Sequence, residues 1–444
     1  MTVTSMYDVI TVGGGAAGIG AAIGARQANP HARVLLVESE ACLGGAATHR
    51  GMVSYCGLYT LEEHSRAEIG QIWSDLRRRL LDNKGTAELP VRHRGIFQVI
   101  DPECLKLVLD DLVTENNIEV LLHATVVRAQ RSTSNSILSV DIQDRRGAHR
   151  YHGRAFVDCS GDGDLAYHSG ASTRHGNHGN VNLGSLAIRF GGIAADAKPT
   201  AAAWRQALVE AKDNQKGPSG KLKKVDSVLI QLPQSGHLVC FLPTASYDPT
   251  DAASITRAEM SARKQAQQYL KVLQGIPGQE NMYIVSTGPN FGTRESRHVN
   301  AVYQLTEQDI MTRRRFSDVV ALGAWACEFH DENDANWAST FKYPPGGCFE
   351  IPLRCLQSTD TSNLFVAGRC ADGDQYAASA IRVMGTSLAT GQAAGVAASL
   401  VAANGDAWTA ADVQQRLQDH GAFLDSSVLP DAPPISGAMY RRKL

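Results

Sequence analysis

The segment YDVITVGGGAAGIGAAIGARQANPHARVLLVESE, Tyr7 to Glu40, decides how the chain is read. Val9 to Val12 is an apolar run of β type that meets the glycine cluster Gly13, Gly14 and Gly15. A small-residue segment with helical character follows, and then a second apolar run, Val34 to Val37, ends on Glu38. Strand, tight turn, helix and strand in that order make the unit that grips a dinucleotide. Gly13, Gly15 and Gly18 form G-x-G-x-x-G: the first permits the turn, the second admits a pyrophosphate, the third lets helix and strand pack closely. Ala16 and Ala17 open a helix whose unpaired N–H groups face phosphate oxygens. Glu38, followed by Ser39, is placed to accept both ribose hydroxyls and to repel a 2′-phosphate.

Working outward, the totals set bounds. A chain of 444 residues has room for two or three domains. Apolar content of 43% and charged content of 20% are those of a soluble globular protein. A net charge of −2 gives no electrostatic reason to expect nucleic acid or an anionic membrane surface as partner. The one basic cluster, Lys221 to Lys224, follows Gly217-Pro218-Ser219-Gly220 and reads as a solvated loop. Nine cysteines are scattered singly, with no C-x-x-C pair and no Cys/His group at zinc spacing, so no metal is expected. The odd count fits reduced thiols and a cytoplasmic location. Neither a signal peptide nor a spanning run of roughly 20 apolar residues is expected.

Residues 61 to 89 read as helix, with Ile69, Ile72, Trp73, Leu76 and Leu80 on one stripe. Asp101-Pro102 starts another helix through Leu105, Val108, Leu109 and Leu112. Strands follow at Ile118 to Leu122, Thr125 to Ala129, Ile137 to Ile142 and Tyr151 to Val157. Beyond residue 173 the composition changes to polar loops, short β-type runs (Ser185 to Phe190, Ser227 to Leu232, Leu238 to Leu242) and a long helix, Ser254 to Leu273. Ser254 and Thr256 are candidate caps, with Glu259 closing a capping box from Thr256. From Pro430 onward the chain reads as a tail or a strap over a neighbour.

Six further stretches carry a resemblance. Ala41-Cys42-Leu43-Gly44-Gly45-Ala46-Ala47-Thr48-His49-Arg50-Gly51 adds a glycine pair just after the ribose carboxylate, as flavoproteins of the glutathione-reductase-like class do. Only Cys42 is present where the disulfide reductases carry two cysteines. Asp158-Cys159-Ser160-Gly161-Asp162-Gly163-Asp164-Leu165-Ala166 resembles the strand-end motif A-T-G-D-G-D-L-A, with Asp162 and Asp164 in turn and helix-cap roles. Gly292-Thr293-Arg294-Glu295-Ser296-Arg297 resembles G-x-R-E-T-R, and Glu350 to Leu356 resembles D-I-P-Y-R-C-L, with Leu353 at the tyrosine. His330-Asp331 matches part of an I-H-D stretch. Asn363-Leu364-Phe365-Val366-Ala367-Gly368-Arg369 leads through Arg382 and Gly385-Thr386-Ser387 into a small-residue helix. The usual A-T-H-E-A between these pieces is here Gly373 to Ala377, without its histidine.

Together these stretches are similar to the FAD-dependent oxidoreductase family of the glutathione-reductase-like (GR2-type) superfamily. The resemblance implies an α/β fold. A Rossmann-like FAD-binding domain with an inserted β-meander is expected over 1–172 and 346–410, and an α+β substrate or cap domain over 173–345. A C-terminal helix and tail occupy 411–444. It implies FAD as cofactor, held by Gly13, Gly15, Ala16, Ala17, Gly18, Glu38, Ser39, Gly44, Gly45, Ala46, Thr48, Val126, Val127, Gly161, Gly368, Arg369, Arg382, Gly385, Thr386 and Ser387. Candidate catalytic groups are His49, Arg294, His330 and Arg354. The two arginines are candidates to clamp a substrate carboxylate, with an Arg294–Glu295 ion pair as the alternative, and His330 is suited to acid–base work. Tyr343, beside Pro344-Pro345, sits on a candidate lid.

The expected activity is hydride transfer between a small molecule and FAD, by a dehydrogenase or oxidase. A flavin monooxygenase using external NAD(P)H and O2 is the alternative, and a non-enzymatic flavin-binding protein a third. No second G-x-G-x-x-G occurs for a built-in nicotinamide domain. A homodimer is a possible assembly.

Overall fold

A computed structural model describes residues 6–67, 70–194, 196–213, 222–331 and 339–436. Strand β1 (Met6–Val12), helix α1 (Ala16–Ala28) and strand β2 (Val34–Val37) form the expected unit, with β1 and β2 paired in parallel from Val9↔Val34 to Val12↔Val37. All four residues of β2 are buried, as a central parallel strand requires. The sheet extends past β2 to the parallel strand Glu119–Leu121 and past β1 to the long strand Gly147–Asp158.

That long strand has two halves with different partners. Its early residues pair antiparallel with Ile137–Asp144, which pairs antiparallel with Thr125–Arg131. Its late residues, Phe156 to Asp158, pair in parallel with Leu364–Val366, which returns from the far end of the chain. The fold is therefore mixed α/β with a parallel-stranded sheet.

Small residues decide how the helices meet. Helix Met384–Asn404 is buried almost along its length and lies against α1. A Cβ on Gly20 would stand 2.2 Å from the Leu388 carbonyl oxygen, and one on Gly24 2.3 Å from that of Gln392. Reciprocally, a Cβ on Gly391 would fall 2.0 Å from the Ala17 oxygen and one on Gly395 1.9 Å from the Ala21 oxygen. Two G-x-x-x-G pairs thus face each other, and backbone touches backbone, which only glycine allows. The contact brings the N-termini of both helices to one place.

Several expected boundaries shift. The helix read over 61–89 is Gln71–Asp82, beginning after Gly70, where a Cβ would strike the Gly421 oxygen at 2.3 Å. Of its stripe, Ile72, Trp73, Leu76 and Leu80 are buried, and Ile69 lies outside the described residues. The long helix is Ala252–Leu273, capped by Asp251 rather than by Ser254 or Thr256. The Asp251 carboxylate accepts from both Ala253 N and Ser254 N, which places the cap three residues before Ser254. Glu259 makes no capping box; it accepts from the Phe291 amide at 2.5 Å and from Arg263. Residues 430–436 form a strap over this chain itself, through Ala67 N to Pro430 O (2.9 Å) and Ser436 N to Pro90 O (3.0 Å). Residues 437–444 lie outside the described residues.

Among the described residues no helix is long and apolar enough to cross a membrane, and no group of three or more His, Cys, Asp or Glu is placed to hold a metal ion. We predict that Gly395→Val, which forces α1 and its partner helix apart, destabilises the protein by about 3 kcal/mol. Ala403→Val, on the exposed last turn of the same helix, should cost under about 1 kcal/mol. Urea denaturation of the two variants checks both.

Candidate functional site

A cavity of about 830 Å³ runs from the glycine turn at the end of β1 into residues of the 173–345 segment. The end at the glycine turn is built by backbone geometry. Gly13 adopts φ +102°, and a Cβ there would lie 2.2 Å from the Cys159 oxygen of the returning strand. Gly18 packs on Gly13, where a Cβ would come within 1.7 Å of its oxygen. Gly15 differs: the nearest atom to a Cβ there is Gly45 Cα at 3.7 Å, so its open face belongs to the cavity. These are the three separate reasons for glycine that the motif supplies.

Glu38 lines the cavity with its carboxylate already oriented. Oε2 accepts from Gly14 N (2.6 Å), and Oε1 from Glu40 N (2.9 Å) and Ser39 Oγ (3.1 Å). Gly44 and Gly45, both at positive φ, clamp back onto this turn through Gly44 N to Gly14 O at 2.9 Å. Ala16, Ala17, Ser39, Gly45, Ala46, Val126, Gly161, Gly368, Arg369, Arg382 and Ser387 also line the cavity. The N-termini of α1 and of helix Met384–Asn404 therefore open into one cleft, an arrangement that favours anionic groups.

Other expected cofactor contacts stand behind this lining. Gly18 and Gly385 pack closely on backbone, where a Cβ on Gly385 would meet the Gly57 oxygen at 2.5 Å, and Gly44 packs against the Thr48 side chain. Thr48 is buried, with its hydroxyl donating to Leu43 O at 2.8 Å. Thr386 is fully buried and its Oγ1 has no partner among the described residues. Val127 points outward and is 41% exposed, because successive residues of a strand face opposite ways.

Asp158 ties the returning strand together. Its side chain accepts from Ser160 N, Ser160 Oγ and Ala166 N at 3.0, 2.7 and 2.9 Å. Asp162, expected in a turn or cap role, is instead ion-paired with Arg369 at 2.8 Å. Burial pushes its carboxyl up, but Arg369 and Arg50 outweigh that and hold it below the usual range. Asp164 starts helix Asp164–Ser169 and pairs with Arg297 at 3.0 Å; burial and Asp162 raise it to about 6.

The far end of the cavity gathers Cys56, His93, Phe97, Lys224, Phe241, Arg294, Trp325, Glu328, His330, Phe341 and Arg382. Strand Cys327–His330 alternates, so Glu328 and His330 share the face that looks into the cleft. His330 Nε2 lies 3.0 Å from Glu328 Oε1, and Trp325 Nε1 donates to Glu328 Oε2 at 3.1 Å. Burial and Arg294 lower His330 to about 3, so its ring is neutral near pH 7. Burial raises Glu328, but His330, Arg382 and Arg294 hold it well below the usual carboxylate range. Burial and Arg382 bring Arg294 down to about 10.

The structure separates the four candidate catalytic residues. His330 and Arg294 line the cavity together. Arg294 donates to Leu183 O and forms no ion pair with Glu295, which turns away to His298 (3.0 Å) and Asn177. His49 also lines the cavity, but its Nε2 is 2.7 Å from Cys42 O, a bond that fixes the loop. Arg354 lies outside: it is held by Asp318 at 3.0 and 3.2 Å, with its guanidinium 5.1 Å over Tyr303. The motif match at 350–356 thus marks a structural ion pair. Tyr343, the candidate lid residue, donates to Arg94 O at 2.8 Å, beside the cavity-lining Phe341.

Lys224 corrects the sequence reading most directly. Within the cluster read as a solvated loop, it faces the cavity and donates to Phe241 O at 3.1 Å. Burial and Arg294 bring it down to about 8. Glu328 and Trp325 were likewise not singled out from the sequence. The alternation Glu328-x-His330 was the available signal for the first.

Fold and cleft define a dinucleotide-binding α/β protein with charged groups at the inner end. The family model described as FAD dependent oxidoreductase matches residues 8–420, and the chain belongs to that family. It is an enzyme, an FAD-dependent oxidoreductase, with FAD as cofactor. No curated protein matches it in sequence. Among solved structures it is similar to a geranylgeranyl bacteriochlorophyll reductase-like protein from Thermoplasma acidophilum, with 11% identity, a TM-score of 0.46, and 94% of this chain and 83% of that one covered. It is also similar to p-nitrophenol 4-monooxygenase from Pseudomonas putida, with 11% identity, a TM-score of 0.49, and coverage of 93% and 84%.

Lys224 supplies a pH test. Its folded pKa of about 8 lies below the ordinary 10.5, so between these values the unfolded chain binds more protons and stability rises with pH. We predict that Lys224→Met is more stable than the wild type at pH 7 by about 2 kcal/mol. That advantage should shrink as pH rises from 8 to 10.5. Denaturation midpoints of both proteins across pH 7 to 10.5 check the sign.

Proposed function

We propose that this enzyme transfers a hydride between a small-molecule substrate and FAD, as a dehydrogenase or oxidase. The carrying observation is one continuous cleft that joins the Glu38 and Gly13 end to the Glu328–His330 end. The residues fit the cofactor: an open glycine cradle at Gly15, two helix N-termini, and a volume in the range of cofactor sites. In this reading Glu38 would hold the ribose, and the backbone of 13–18 the pyrophosphate. Residues 368–387 would complete the site beyond it. When bound, FAD supplies the hydride acceptor, and the protein supplies binding, orientation and proton handling.

The glutathione-reductase-like superfamily is the placement we favour. The glycine pair at Gly44-Gly45 packed on the dinucleotide turn supports it, as does the strand Leu364–Val366 returning beside Gly147–Asp158. Residues 173–345 then cover the substrate. Neutral His330 is the group we assign to take the substrate proton. Glu328, 3.0 Å from its Nε2, would stabilise the imidazolium that forms. Phe97, Phe241, Trp325 and Phe341 would exclude water from that end.

Three outcomes test this reading. The purified protein should be yellow, with flavin absorbance; a colourless preparation indifferent to added FAD would overturn it. Glu38→Ala should weaken FAD binding by about 1.5–3 kcal/mol through lost charge-assisted hydrogen bonds, as read by FAD titration. His330→Gln should retain FAD yet lower the rate of anaerobic flavin bleaching by about 10²–10⁴-fold, once a metabolite screen has found a substrate. Rapid NADPH oxidation in the absence of any other substrate would favour the monooxygenase alternative.

A further inference from the structure

Charge at the inner end of the cleft does not balance. Arg294, Arg382 and Lys224 all line it, and Glu328 is the carboxylate that faces them; His330 is neutral there. Other acids of the cavity already have partners. Asp162 is paired with Arg369, Asp226 with Arg94, and Glu40 accepts from Asn290. Arg294 is only 8% exposed; it donates to the neutral Leu183 carbonyl, and Glu328 is the carboxylate that acts on its charge. Arg382 Nε is buried and has no partner among the described residues. Desolvated guanidinium groups are kept in such a place at a cost unless an anion arrives to pair with them.

The walls around these cations are apolar. Phe97, Phe241, Trp325 and Phe341 line the same end, and a second cavity of about 470 Å³ adjoins it through His93, Phe97 and Val228. Leu89, Val91, Ile230 and Leu232 are among the residues that line this second space. Like charges discriminate among anions. A dianionic phosphate would meet Glu328, which lies within electrostatic reach of both guanidinium groups, whereas a singly charged carboxylate fits between them with less repulsion.

We infer that the substrate is a carboxylic acid with an apolar body, its carboxylate seated on Arg294 and Arg382 and its body against the aromatic wall towards the second cavity. This rests on the FAD-dependent reading of the same cleft. Planar guanidinium forks suit carboxylate recognition by two parallel hydrogen bonds. Binding there would bring the acid beside the Glu328–His330 pair, so that a proton released on oxidation has an acceptor at hand.

Binding of simple probes to the FAD-loaded protein tests the assignment, with the flavin absorption spectrum as reporter. The probes are phenylacetate, phenylacetamide, phenethylamine, phenyl phosphate and acetate. Phenylacetate should perturb the spectrum and bind at least tenfold more tightly than its amide, the amine, the phosphate or acetate. Arg294→Gln and Arg382→Gln should each weaken phenylacetate at least tenfold, with less than twofold effect on the amide. If either glutamine variant loses FAD, the lysine variant at the same position replaces it; it keeps the charge, loses the fork and should still weaken phenylacetate. Equal binding of acid and amide, tighter binding of the phosphate or the amine, or no response to phenylacetate in the FAD-loaded wild type overturns the inference. Failure of the wild type to hold FAD at all is a separate result, which overturns the reading beneath it.

Discussion

The backbone contact between α1 and helix Met384–Asn404 is the constraint on which the rest of the site depends. Two helices far apart in the chain, Ala16–Ala28 and Met384–Asn404, approach until Cα hydrogens take the place of side chains. Gly20 and Gly24 on one side meet Gly391 and Gly395 on the other. Carbonyl oxygens fill the space that any Cβ would need, so the approach distance is set by sterics rather than by a particular attraction. Because the helices cross near their starts, their N-terminal N–H groups converge on one cleft. Gly368 and Ala17, 2.8 Å apart when a Cβ is built on the former, bring the last sheet strand to the same point.

A second constraint is electrostatic. The glycine-turn end of the cleft is satisfied locally: Glu38 is held by Gly14, Ser39 and Glu40 and needs no cation. Asp162 and Arg369 neutralise each other in the middle. At the inner end three cations face one carboxylate, and burial lowers the pKa of each of the three. In a low-dielectric cleft such an excess is costly for the empty protein and favourable for an incoming anion. Burial, with Arg294 and Lys224, also keeps His330 neutral.

Much of the strand–turn–helix–strand unit was legible in the chain because it is local. Gly13, Gly15, Gly18 and Glu38 sit within one strand–turn–helix–strand, where residue type and spacing dictate backbone shape. The helix stripes at Ile72 to Leu80 and Leu105 to Leu112 were legible for the same reason: a helical period places its apolar residues on one face. Boundaries were less so. The first of these helices starts after Gly70, where residues near 421 press on the backbone, and Asp251 caps the long helix through its two acceptors.

By itself, then, the sequence determined the βαβ unit, the carboxylate at its end and the small-residue character of the closing helix. These follow from short-range sterics and period. Tertiary structure alone decided which charged residues face one another. Arg354 and Arg294 sit in motif-like stretches of equal promise, yet one is drawn out to Asp318 and the other is left inside the cleft. Lys224, in a run that reads as solvated, is turned inward onto Phe241 O. Electrostatic roles depend on neighbours far away along the chain, through distance and burial, and neither is written in the spacing of residues.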